Sequence, residues 1–152
     1  MAAALKQRID DDLKAALLSG DRFAAQTLRG LKAAVLNEEV ALGRREDGLN
    51  DEEVEKIIAK EVKKRNESIA LYEQNARPEL ADDEKKESDI LSVYLPQQLS
   101  EDELKEIITA KVAELGASSP QAMGQVIGAV KAQVGNTADG ATVARLVKEA
   151  LN

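Results

Sequence analysis

Residues 50–76 read NDEEVEKIIAKEVKKRNESIALYEQNA, and this stretch decides the fold class. Val54, Ile57, Ile58, Val62, Ile69 and Tyr72 recur at spacings of three and four, the period of one helix face. Asn50 with Glu53 stands at capping-box spacing and opens the run, with Asn in place of the usual Ser or Thr. Continued to Ala76, the run predicts a rod of about 39 Å at 1.5 Å per residue. No segment of clean two-residue alternation interrupts the helical spacing anywhere in the chain, so the expected fold is all-α.

On the N-terminal side two helices are expected. The first covers roughly residues 3–18, with Leu5, Ile9, Leu13, Ala16 and Leu17 on one face and Ser19-Gly20 as its stop. Asp21 starts the second, whose stripe is Leu28, Leu31, Leu36, Val35 and Val40, ending near Gly43. On the C-terminal side Pro78 suits the first turn of a fourth helix, because the N–H that proline lacks would be unpaired there anyway. Its apolar face is Leu80, Ile90, Leu91, Tyr94 and Leu95, and Pro96 ends it.

A boundary is expected at Pro96–Leu99. Residues 1–95 carry 16 basic and 21 acidic residues, whereas residues 96–152 carry 5 and 7. Three shorter helices follow. Ser100 and Glu103 form a capping box ahead of Leu104, Ile107, Ile108, Val112 and Leu115, with Gly116 as the stop. Ser119-Pro120 starts the next by the N-cap and N1 rule, followed by Met123, Val126, Ile127, Val130 and Val134, then Gly135. Asp139 with Gly140 opens the last, through Val143, Leu146, Val147 and Leu151. The expected architecture is thus a helical N-terminal domain of about four helices, one of them long, over residues 1–95, and a three-helix tail bundle over residues 96–152.

Composition excludes much chemistry. The 152 residues include no Cys, His or Trp, which removes disulfides, thiolate and imidazole metal sites, cysteine nucleophiles and every triad with His as base. Aromatic residues are 2% of the chain, too few for a base-stacking platform. The formal charge of −7 opposes non-specific attraction to nucleic acid or anionic lipid, so any basic patch must be local. The start of the sequence has neither an apolar h-region nor a small-residue cleavage site, and no stretch approaches the ~20 apolar residues of a membrane span. A soluble, cytoplasmic protein without membrane partners is expected.

Ser118-Ser119 invites comparison with a Ser nucleophile served by Lys, but Ser before Pro at a helix start is first a cap. The clusters Asp10-Asp11-Asp12, Asp51-Glu52-Glu53 and Asp82-Asp83 lack EF-hand spacing, and two of them sit where a helix first turn favours negative charge. No catalytic residue, metal ligand or cofactor site is assigned. Lys56, Lys60, Lys63 and Lys64, with Arg65 beside them, share a side of the long helix, but interleaved glutamates at pairing distance favour a solvated face over a phosphate track. Gly124 and Gly128 stand four apart on an otherwise apolar helix. Each costs ~1 kcal/mol of helix stability, so close backbone approach is expected there, by a neighbouring helix of the bundle or by a ligand backbone such as RNA.

The string Met123-Gly124-Gln125-Val126-Ile127-Gly128-Ala129-Val130, then Gly135, Ala138-Asp139-Gly140, Val143, Leu146, Val147 and Lys148, resembles the C-terminal tail domain of the GatB subunit of the tRNA-dependent amidotransferase. The N-terminal part is similar to the stand-alone YqeY family that shares this tail: Thr27-Leu28-Arg29, Glu61-Val62-Lys63-Lys64-Arg65, Arg77-Pro78-Glu79-Leu80 and Tyr94-Leu95-Pro96-Gln97-Gln98-Leu99-Ser100. The resemblance implies a helical domain joined to a tail that contacts tRNA, and with it the label of a carbon–nitrogen ligase with glutamine as amido-N-donor, although no residue of this chain carries that chemistry. Gly124, Gly128, Asp139, Gly140 and Lys148 match the tail motif, and Lys131 and Arg145 are added on charge. The expectation is a non-catalytic, tRNA-associated protein whose binding is weak or assisted by the aminoacyl-tRNA amidation machinery. The alternative is an adaptor that docks another helical protein without RNA.

Overall fold

The structure, a computed structural model, describes residues 4–152 and is all-helical. In chain order the helices are α1 (Ala4–Ser19), α2 (Arg22–Ala41), α3 (Asp51–Gln74), α4 (Pro78–Ser92), α5 (Glu101–Leu115), α6 (Met123–Val134) and α7 (Gly140–Leu151). Two short 3-10 turns, Pro120–Ala122 and Gly135–Thr137, bracket α6. The expected start of the first helix at residue 3 lies outside the described residues. By internal packing the chain divides into two compact units, one ending at Leu95 and one spanning Pro96–Asn152.

The sequence signals that set the helix ends are seen as hydrogen bonds. The Asn50 side chain accepts from the Glu53 N–H while the Glu53 carboxylate accepts from the Asn50 N–H, and Ser100 with Glu103 does the same. Asp21 accepts from the Ala24 N–H, and Asp139 from the Thr142 N–H at 3.1 Å. Gly116 closes α5 in the left-handed region, φ 62. Ser119 departs from expectation. Its side chain caps nothing, because Pro120 starts a 3-10 turn and α6 begins only at Met123.

In the first unit, Ile9 and Leu13 of α1, Leu28 and Leu31 of α2, Val54 and Ile58 of α3 and Leu91 after α4's midpoint form one core. The expected stripes were too wide. Leu17, Leu36, Val40 and Leu80 are exposed, because neighbouring helices cover only one side of each element in so small a unit and residues one or two positions off that side turn toward water. Tyr94 is buried beside this core, its hydroxyl donating to Asp12 Oδ2 at 2.5 Å and its ring lying 4.8 Å under the Arg8 guanidinium.

Burial and the Asp12 carboxylate both raise the Tyr94 pKa above the usual tyrosine value. A raised value stabilises the fold fully below the unfolded pKa of about 10 and loses that contribution as pH rises through the folded value. Alkaline unfolding should therefore begin above about pH 10, and Tyr94→Phe should flatten that limb. At neutral pH the same variant should lower stability by about 1.5–3 kcal/mol, because Asp12 loses its buried donor. Urea titrations from pH 7 to 11 check both.

The α3–α4 connection holds a feature the sequence conceals. Ala76 lies at φ 55, with its N–H to the Glu73 carbonyl at 3.3 Å and the Arg77 N–H to the Tyr72 carbonyl at 2.8 Å, a Schellman closure with Ala where Gly is usual. A left-handed L-residue costs roughly 1–2 kcal/mol, partly recovered by its smaller unfolded-state entropy. Ala76→Gly should raise the midpoint of thermal unfolding, by ~1 kcal/mol in stability.

In the second unit α5, α6 and α7 pack pairwise around Leu104, Ile108, Val126, Val130, Val143 and Val147. The Leu99 N–H, bonded to the Thr137 carbonyl at 2.8 Å, ties the start of this unit to the α6–α7 connection.

Candidate functional site

Val126, Val130 and Val134 turn one side of α6 into the core of the second unit. Gly124 and Gly128 lie on the opposite side, exposed. A Cβ placed on either would meet nothing within 4 Å. The expectation that a neighbouring helix of the bundle approaches these glycines is therefore corrected. Adjacent turns of α6 present bare backbone outward, and no internal packing explains the missing side chains.

Lys131 follows Gly128 by three residues on the same side and is exposed in the last turn of α6. Its stem runs across the start of α7. A Cβ on Gly140 would lie 3.4 Å from both Cε and Nζ of Lys131. Asp139, at the N-cap of α7, accepts from both the N–H and the hydroxyl of Thr142. Gly124, Gly128, Lys131, Asp139 and Gly140 thus form a continuous strip along α6 and over the first turn of α7.

The other two candidates stand apart from the strip. Arg145 is clamped, donating to Glu101 of α5 from one nitrogen and to Glu149 of its own helix at 3.2 Å from the other. Those two carboxylates raise its pKa further. Charge counting alone missed this clamp, since the Glu101 partner is 44 residues away; only Glu149, at i+4, was legible. Lys148 is exposed in the last turn of α7, where the helix dipole favours a cation.

In the first unit the basic run is divided by packing. The Arg65 Nε donates to Glu87 of α4 at 3.0 Å and its terminal nitrogen to Glu61 at 2.9 Å, so Arg65 belongs to the α3–α4 contact. Lys64 lies 3.4 Å from Glu61, and Lys56, Lys60 and Lys64 remain on the exposed side of α3. Among the described residues no group of three or more acidic side chains is placed to hold a metal ion.

The sequence model of the Yqey-like protein family matches residues 6–151. The chain belongs to the YqeY family. Three curated relatives carry the description "Altered inheritance of mitochondria protein 41, mitochondrial". The protein of that name from Clavispora lusitaniae is 30% identical over 117 residues, covering 76% of this chain and 66% of the relative. The one from Kluyveromyces lactis is 34% identical over 92 residues, 60% of this chain and 46% of the relative. That from Lachancea thermotolerans is 30% identical over 112 residues, 72% and 58%. The matches span between about half and two thirds of the relatives' own lengths.

These names overturn the expected cytoplasmic location, since all three relatives are described as mitochondrial. The physical reason for the error is that an h-region and an apolar span report on secretion and membrane insertion, and neither feature sorts a protein into an organelle. No helix of the described residues is long and apolar enough to cross a membrane.

Proposed function

We propose that this YqeY-family chain is a non-catalytic, tRNA-associated protein whose second unit meets RNA along the Gly124–Gly128 strip. The observation that carries this reading is the open glycine face: two glycines four apart, with no neighbour within 4 Å of either Cβ position. Each glycine weakens α6 by ~1 kcal/mol relative to alanine without any gain in the bundle. A bare helix side lets a sugar–phosphate backbone come close enough for contacts to backbone and Lys131, with Lys148 as a second cation. The resemblance of the tail to GatB supports the same ligand.

The charge sets the strength. With a net charge of −7 and Arg145 held by two glutamates, few phosphate contacts are available, so binding by the chain alone is weak and the amidation machinery supplies the remaining contacts. The glutamine-dependent ligase label then belongs to a partner complex rather than to residues of this chain.

A fluorescence titration of bulk tRNA with the full chain at several salt concentrations tests the reading. Saturable binding that weakens with salt is expected, with a log–log slope smaller by about 2 in the Lys131→Ala/Lys148→Ala variant. Binding absent even at low salt would leave the adaptor reading in its place.

A further inference from the structure

Between the second half of α2 and the first half of α3 the first unit forms a groove of about 550 Å³. Leu42, Ala34 and Ile57 give it an apolar floor, and Lys56, Lys60 and Lys64 stand along the α3 wall at intervals of four residues, a row of about 12 Å. Leu42, just past the end of α2, is 52% exposed at the edge of this floor. Of the three carboxylates on the same walls, Glu53 is held by Arg44 at 2.5 Å and Glu61 by Arg65 at 2.9 Å, with Lys64 also 3.4 Å from Glu61, while Glu38 is exposed on the α2 wall. With Glu53 and Glu61 each matched by an arginine, three lysines face Glu38 alone, so the groove carries a local excess of positive charge in a chain that is otherwise acidic.

We propose that this groove is a docking site for an acidic amphipathic helix of a partner protein, two to three turns long. Apolar side chains at i, i+3 or i+4 and i+7 of that helix fill the floor, and Glu or Asp side chains flanking them meet the lysine row. The apolar floor separates this occupant from a phosphate backbone, which has nothing to bury there. Charge complementarity speeds encounter and selects against neutral or basic helices, while the floor supplies most of the affinity. The inference uses no residue of the Gly124–Gly128 strip and stands or falls apart from the RNA reading.

The test is selection of a displayed library of randomised helix-forming 14-residue peptides on the full chain, followed by affinity measurement. Enriched peptides should be amphipathic with an excess of Glu and Asp. Their affinity should fall roughly tenfold or more on the Lys56→Glu/Lys60→Glu/Lys64→Glu variant, and similarly on Leu42→Asp, each folded by circular dichroism. No enrichment over background, enriched peptides without acidic bias, or peptides bound equally by both variants would overturn the proposal. So would tRNA that binds wild type and loses affinity on the lysine reversal while no peptide is selected.

Discussion

Gly128→Leu is expected to abolish tRNA binding while leaving the fold as stable as wild type or slightly more so. In a helix packed against a neighbour, leucine in place of glycine would overpack the contact and destabilise by typically 1–3 kcal/mol. Here a Cβ at residue 128 meets nothing within 4 Å, so overpacking does not arise. The intrinsic preference of leucine for helix then adds stability, by up to about 0.8 kcal/mol over glycine. Binding should move the other way, since the side chain would stand on the face proposed to receive the RNA backbone, and a loss of at least roughly tenfold is expected. Thermal unfolding beside a tRNA titration separates the two readouts. A variant that unfolds early would contradict the open-face account.

Lys6→Ala is expected to have the largest effect on stability. Lys6 donates to both carboxylate oxygens of Glu39, at 3.1 and 3.0 Å, and Glu39 is only 4% exposed. The pair links α1 to α2 beneath Gly48, whose added Cβ would lie 3.1 Å from Glu39 Oε2 and 3.3 Å from Lys6 Nζ. Removing the ammonium leaves a buried carboxylate uncompensated, at a cost of about 3–5 kcal/mol. Replacing both partners by apolar residues removes the stranded charge, so Lys6→Met/Glu39→Leu should recover most of the loss. Urea denaturation of the two single variants and the double variant measures the coupling, and strict additivity would contradict a buried pair.

What the sequence made legible was local. Asn50–Glu53, Ser100–Glu103, Asp21, Asp139 and Gly116 act through hydrogen bonds spanning a few residues, so their spacing alone announced the helix ends. Ala76 stayed hidden because alanine is the strongest helix former and nothing local signals a left-handed turn there. Leu36 and Val40 misled because periodicity marks an apolar side without saying whether a neighbour covers all of it.

The site divides in the same way. Gly124 and Gly128 stood out from their spacing, but whether a helix of the bundle packs against them depends on what lies beside α6, a tertiary fact. Arg145 was chosen on charge and is engaged by Glu101, 44 residues distant, which no local rule reaches. The Lys6–Glu39 pair was missed for the same reason, being 33 residues apart with nothing to distinguish either residue from surface charge.

The central claim is that RNA meets the bare side of α6. The most direct measurement is an amide chemical-shift titration of the isotopically labelled full chain with tRNA, in which the Gly124 and Gly128 amides serve as resolved reporters. The account predicts that these two amides and that of Lys131 shift first and furthest, and that raising the salt reverses the shifts. Shifts confined to the first unit, or none at low salt, would contradict it.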